Sequence, residues 1–391
     1  MRRTLLRRWR GNLAVLLGTL LVLGLVAEVV ARRIGAGEPP LLVVDPIVGK
    51  RFRAGFHGRV FVPEAGREVD LRFNREGVRG ADYPRAKPPG TRRLVVLGDS
   101  MIAALATDEP QTLVPRLEAF LNTRGGGGAW EVLNFGVSSS STGNELVMYR
   151  EVASHYEPDV VVCAFFVGND LADNSHRLTQ APRIYFDLDA QGALHQRPFS
   201  APAAEGAGLG PWLDRHSRFY VWQKTAMREI RGHARSWLGR ADPGHWIFSR
   251  AEPPDVAEAW RLTARLLETF RAEAEARGAR FAVVLIPSAE QVYDDLWTDL
   301  VRQAGDAGRD FDRDYPQQRL GALCAKAGIP LVTMTSAFRA YATQRSSTVR
   351  EQWLFHQGRW HLNAEGHRIA AEAVGSGLSY GLYTPEVQAT R

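Results

Sequence analysis

Arg92-Arg93-Leu94-Val95-Val96-Leu97-Gly98-Asp99-Ser100 decides how the rest of the chain is read. Four consecutive aliphatic residues stop abruptly at Gly-Asp-Ser. A short apolar run closed by a turn signal predicts a buried strand with both faces covered, as in a parallel sheet. Open parallel sheets bind ligands outside the carboxyl ends of their strands, which is where Ser100 falls. Taken alone, the tripeptide reads first as a turn whose Asp99 or Ser100 caps a helix.

Working outward, the same rhythm recurs. Glu131 to Gly136 reads as a second strand and Val160 to Val167 as a third, which stops at Gly168-Asn169-Asp170. Arg280 to Ile286 and Ile329 to Thr333 read as a fourth and fifth. Helical patterns fall between them, at about 111–123, up to Tyr156, at 254–277, 289–304 and 316–327, and from Ala364 onward. Strands alternating with helices predict a doubly wound α/β sheet. Residues 34–90, rich in Gly, Pro and Arg, hold short alternating strands near 59–62 and 69–73 and read as a β-rich lead-in packed on the main domain. The domain proper runs over 91–385, and the rhythm is lost at about 175–253. That span holds Trp212, Trp222 and Trp237 and a basic amphipathic pattern over 216–238. It is expected to be an insertion that forms a cap or side wall, with a membrane-lying helix as the alternative. Gly125-Gly126-Gly127-Gly128 lacks the Lys-Ser/Thr that would follow in a phosphate cradle, so a loop is expected.

The net charge of +6 is unevenly placed. Residues 1–33 carry seven arginines and one acid, Glu28, while the remainder, with 42 basic and 42 acidic residues, is neutral. The basic pI therefore gives no ground for a nucleic-acid partner. Five of those arginines precede an apolar run from Leu13 to Ala31, interrupted only by Glu28. Its 19 residues approach the roughly 20 needed to span a bilayer. Residues 1–33 are accordingly expected to be a cytoplasmic basic tail and a single-pass anchor, with everything after them periplasmic or extracellular. A signal peptide cut near Val29-Val30-Ala31 is the alternative. Cys163 and Cys324 fall in apolar patterns and read as buried small hydrophobes. No Cys/His cluster has metal-ligand spacing, and neither metal nor cofactor is expected.

Four strand ends or late loops carry groups suited to acyl transfer, which needs a nucleophile, a base and donors for an oxyanion. Ser100 and His361 supply the first two. The backbone N–H groups of Ser100 and Gly136 and the side-chain amide of Asn169 supply the donors. In order, Gly98-Asp99-Ser100, Asn134-Phe135-Gly136, Gly168-Asn169-Asp170 and Trp360-His361-Leu362-Asn363-Ala364-Glu365-Gly366-His367 resemble the sequence blocks of the SGNH/GDSL hydrolase superfamily. The resemblance covers about residues 91–375 and is poorest over 175–253. It implies a flavodoxin-like sheet of five parallel strands, catalytic Ser100 and His361, and an oxyanion hole of Ser100, Gly136 and Asn169. The family's Asp, two or three residues before the catalytic His, is replaced here by Arg359 and Gly358.

Three readings of that departure stay open. A backbone carbonyl orients His361 in a Ser–His dyad, an acid from elsewhere serves (Asp294 or Asp295 being candidates), or the domain is a non-catalytic carbohydrate-binding or assembly module. The expected function is a serine esterase acting on an acyl or acetyl ester of an envelope glycan, a lipid or a small molecule, with polysaccharide O-acyltransfer at the same site as the alternative. The expected partners are that ester and, through the N-terminal helix, a membrane.

Overall fold

The computed structural model describes residues 2–33, 41–124, 129–199, 209–224, 226–227, 243–344, 353–356 and 360–382. The glycine run Gly125–Gly128, positions 228–238 of the basic pattern with Trp237, and Gly358 and Arg359 lie outside the described residues.

The central sheet has five strands, numbered here in chain order: β1 Thr91–Gly98, β2 Ala129–Gly136, β3 Val160–Phe166, β4 Arg280–Ile286 and β5 Leu331–Thr333. Their order is β5-β4-β3-β1-β2, and every neighbouring pair is parallel. This is the flavodoxin-like, doubly wound arrangement expected from the sequence. β5 begins two residues later than anticipated. Pro330 has no N–H to give a ladder, and the Ile329 N–H closes the preceding helix on Cys324 O at 2.8 Å. The helix Thr335–Thr343 was not marked by the sequence pattern; it buries Phe338.

Period-two alternation sorts the strand residues onto two faces. Val95, Leu97, Leu133, Phe135, Val161, Phe165, Val283 and Leu285 face a core closed by helices Thr142–Glu151 and Pro254–Ala276, with Tyr149, Trp260 and Phe270 buried in it. Leu94, Val96, Val132, Val162, Ala164 and Val284 face a second core closed by Leu113–Arg124 and Ala364–Leu382. Each such aliphatic or aromatic side chain contributes about 1.5–3 kcal/mol when fully buried. Because both faces are covered, β3 and β4 are apolar along almost their whole length, Val160–Phe166 and Phe281–Ile286 being buried throughout.

One polar residue in β1 is nonetheless fully buried. Arg93 donates through Nε and Nη2 to Glu131 Oε2 at 2.9 and 2.6 Å, and through Nη1 to Tyr156 O at 2.6 Å. A guanidinium offers five donors, and here they tie the entry of β1 to β2 and to the approach to β3. At the other end Gly98 lies level with Gly136, so the turns after β1 and β2 emerge side by side.

The lead-in segment forms two hairpins, Leu42–Asp45 with Gly49–Phe52 and His57–Val62 with Arg67–Arg72. Val69, Leu71 and Phe73 are buried, and Phe73 stacks on Phe52 at 4.4 Å. Buried Arg79 donates to Ala103 O at 3.2 Å, to Ala104 O and to Thr107 O at 2.7 Å. Arg67 makes a bidentate pair with Asp108, at 3.1 and 2.9 Å. The segment is thereby fastened to the residues that follow Ser100.

The chain divides into two compact units. The larger holds Leu42–Ala201 and Ala241–Arg391, and the smaller holds Met1–Leu41 and Pro202–Arg240. The span 175–253 is therefore not one piece. Its ends belong to the α/β unit, where Ile184, Phe186, Ile247 and Phe248 enter the first core, while 202–240 group with the N-terminal helix. That helix runs Arg2–Arg33 and includes a stretch, Val15–Arg33, of mean hydropathy 2.1 that is 6% buried.

Candidate active site

Ser100 opens a single helical turn, Ser100–Ala103, immediately after β1. Asp99 caps this turn, its Oδ1 accepting the Met101 N–H at 2.8 Å. The capping role anticipated for Asp99 is thus the observed one, and the Ser100 hydroxyl takes no part in it. Ala104 closes the turn in the left-handed region at φ 52°. The turn lies flush on the sheet because two glycines let it. A Cβ on Gly98 would sit 2.4 Å from Ile102 Cγ1, and one on Gly136 2.6 Å from Ala103 N and 2.7 Å from Ile102 Cβ.

His361 arrives from the far end of the chain. Phe355 and Leu362 form an antiparallel bridge, and the His356 N–H donates to His361 O at 2.9 Å. Asn363 then caps the last helix, its Oδ1 accepting the Gly366 N–H at 2.9 Å, while its Nδ2 donates to Trp353 O at 2.5 Å. These contacts aim the imidazole at Ser100: His361 Nε2 lies 2.9 Å from Ser100 Oγ. The two residues that the sequence paired across 261 positions are in hydrogen-bonding contact.

The carboxyl beside the imidazole comes from the lead-in segment, not from the positions before His361. Glu64 Oε2 is hydrogen-bonded to His361 Nδ1, and its Oε1 accepts the His361 backbone N–H at 3.2 Å. Glu64 is the middle residue of the turn Pro63–Ala65, which joins the two strands of the second lead-in hairpin. Gly66, at φ 64°, closes that turn on Pro63 O at 3.1 Å. The other candidates are elsewhere: the Asp294 side chain is 94% exposed and pairs with Arg313, and Asp295 is exposed. Nor is a backbone carbonyl the partner of Nδ1. The one local signal was an acid inside Pro-Glu-Ala-Gly, and a turn signal does not say what the turn touches.

The electrostatics fit a base held by an acid. Burial of the His361 ring opposes its protonation. The Glu64 hydrogen bond and charge, with the charge of Asp99, outweigh burial and raise the ring above its ordinary value of 6.5. Burial pushes the Glu64 carboxyl up, but its bonds and attraction to His361 prevail and lower it. Next to Ser100, burial raises Asp99 together with Glu145 and Asp170, Glu145 reaching about 8. Three carboxyls in one dry region cannot all ionise. Asp170 Oδ2 accepts the Phe166 N–H at 2.7 Å, satisfying the end of β3, and Cys163 donates to Glu145 at 3.2 Å. His367 is fully buried, accepts the Leu113 N–H at 3.2 Å and is pushed down to about 3, so it is a neutral structural histidine.

The expected oxyanion donors at Gly136 and Asn169 have hydrogen-bond partners of their own. The single Gly136 N–H is given to Asn134 Oδ1 at 2.8 Å, and Asn134 Nδ2 donates on to Ile102 O at 3.0 Å. Asn169 Nδ2 gives one of its protons to Asp173 Oδ2 at 3.0 Å. The requirement for glycine at 136 thus follows from packing as well as from any donor role. Gly136→Ala keeps the N–H but drives Cβ into the nucleophile turn. We expect it to cost about 1–3 kcal/mol, as overpacking does, measured by denaturant unfolding. A variant as stable as wild type would contradict the packing account.

No family model matches this chain, and no curated protein matches it. Among solved structures it is similar to TesA, at 15% identity and a TM-score of 0.40, over 74% of this chain and 100% of that one. It is similar to the lipase/acylhydrolase from Enterococcus faecalis, at 15% and 0.38, over 76% and 100%. It is also similar to Axe2, an acetylxylan esterase from Geobacillus stearothermophilus, at 12% and 0.38, over 73% and 94%.

Proposed function

We propose that this chain is an SGNH/GDSL-type serine esterase with a Ser100–His361–Glu64 triad, held to a membrane by its N-terminal helix with the α/β unit on the extracytoplasmic side. The continuous line of hydrogen bonds from Ser100 Oγ through the imidazole to the Glu64 carboxylate is the observation that supports it. In this reading Ser100 Oγ attacks the ester carbonyl carbon and its proton passes to His361 Nε2. Glu64 holds Nδ1–H, which fixes the tautomer and stabilises the imidazolium. The tetrahedral oxyanion is met by the Ser100 N–H and by the Asn169 side-chain amide. Gly136 contributes if its N–H is shared with Asn134. His361 then protonates the departing alcohol, and water, activated by the same base, releases the acid.

The reading as a non-catalytic module rested on a missing acid, and Glu64 beside His361 removes that reason. Transfer to a sugar hydroxyl would use the same acyl-enzyme with an alcohol in place of water. The test is covalent labelling by a fluorophosphonate probe, which requires an activated serine. The full chain is expected to take up one probe per molecule, and a folded chain that stays unlabelled overturns the proposal. Orientation is tested separately: protease added to spheroplasts should digest the α/β unit, and protection would reverse the topology.

A further inference from the structure

We infer that residues 209–227 are a membrane-interface element, pinned to the outer end of the N-terminal helix and seated among lipid headgroups. This rests on the reading of that helix as a membrane span. Within the smaller unit, Glu28 does what an acid in an apolar helix must do, which is to find partners. Its Oε2 accepts Ser217 Oγ–H at 2.8 Å and the Phe219 N–H at 3.1 Å, and its Oε1 accepts the Arg218 N–H at 3.0 Å. These are the first donors of the helical stretch at 218–224, which otherwise lack a partner within the helix. One turn further on, Arg32 donates to His216 O at 2.8 Å and to Glu28 Oε1 at 2.7 Å. Glu28, which had only interrupted the apolar run, is thus the cap of a helix 190 residues later.

Position then selects the surroundings. The run from Leu13 to Ala31 is about 28 Å long as a helix, close to the ~30 Å hydrocarbon thickness. Glu28 and Arg32 therefore sit within about a turn of one boundary, and whatever is bonded to them lies at headgroup depth. The composition suits that depth. Helix Leu209–His216 and the stretch after it expose Leu209, Trp212, Trp222 and Met227, at 72%, 52%, 49% and 49%, interspersed with Arg218 and Lys224. Exposed tryptophans with basic neighbours are the make-up of an interfacial helix, with rings at the acyl boundary and cations toward phosphate. The occupant of this apolar surface is the lipid interface rather than a protein.

The experiment uses the full chain in vesicles of phosphatidylcholine with phosphatidylglycerol. A spin label is placed by Trp222→Cys and, as a control, by Ile47→Cys, which lies in an exposed turn of the α/β unit. The native Cys163 and Cys324 are buried. At 222, collisions with oxygen are expected to exceed those with a nickel chelate, and at 47 the order is expected to reverse. A water-like label at 222, or one shielded from both quenchers by protein, overturns the proposal. A second variant, Glu28→Ala carrying the label at 222, should release the 209–227 segment from the N-terminal helix and raise the mobility of the label. A label whose mobility is unchanged overturns the docking while leaving the span in place. A purified chain whose mass lacks the N-terminal helix overturns the span and the docking together.

Discussion

Glu64→Gln is expected to lower kcat for ester hydrolysis by about four orders of magnitude while leaving the protein folded, the scale seen when a triad acid becomes its amide. Glutamine fills the same space in the turn Pro63–Ala65, so the hairpin and its links to Asp108 are retained. What changes is the partner of His361 Nδ1. An amide can turn its NH2 toward the ring and favour the tautomer that puts the proton on Nε2, where the base must be empty. It also removes the charge that stabilises the imidazolium. The pH profile supplies a second readout. In wild type, burial disfavours the protonated ring but Glu64 outweighs it, so the acid limb of kcat/KM lies above 6.5. Without that charge, burial is left to act, and the limb should move to lower pH while the plateau falls. A variant that keeps full activity, or loses activity with an unmoved limb, would show that Glu64 does not serve as the acid.

The same pair fixes a stability window. The His361 pKa is raised, so its contribution is complete below about 6.5 and fades as pH climbs through the higher folded value. The Glu64 pKa is lowered, so its contribution is complete above about 4.5 and is lost as pH falls through the lower folded value. The two overlap in mildly acidic solution. Glu64→Gln should therefore destabilise most there, which denaturant midpoints across pH would record.

Ser100→Ala is expected to abolish probe labelling and lower kcat by about a million-fold, the scale found when a triad nucleophile is removed. Ser100 lies at the start of a turn already capped by Asp99, so alanine there leaves the Met101 N–H bonded and the fold unchanged. The double variant Ser100→Ala with Glu64→Gln should be no slower than Ser100→Ala, because the acid acts only through the base and the base only on the nucleophile. Labelling of Ser100→Ala equal to wild type would place the reactive serine elsewhere.

Much of this was legible without coordinates, for a definable reason. Short apolar runs bounded by turn residues, such as Leu94 to Leu97 and Val160 to Phe166, read as central strands, because burial on both faces leaves no room for alternation. Their polar ends mark where chemistry can occur. Ser100 and His361 can be singled out as candidates because each follows or precedes an element that local periodicity reveals, and the fold brings them into hydrogen-bonding contact. The start of β5, at Leu331, also had a local cause, proline, but one that a hydrophobic count overlooks.

Tertiary structure alone decided the rest. Glu64 and His361 are 297 residues apart, and neither periodicity nor spacing encodes that contact. It exists because a buried hairpin face, the Arg79 links to the nucleophile loop and the Arg67–Asp108 pair carry a surface turn to the imidazole. The donors expected at Gly136 and Asn169 stand where the strand ends put them, yet the Gly136 N–H and one Asn169 amide proton go to Asn134 and Asp173. Glu28 likewise looked like a flaw in an apolar helix until the 217–219 amides were placed on it. A sequence specifies elements through contacts a few residues long, whereas the partner of a buried polar atom is set by where those elements meet.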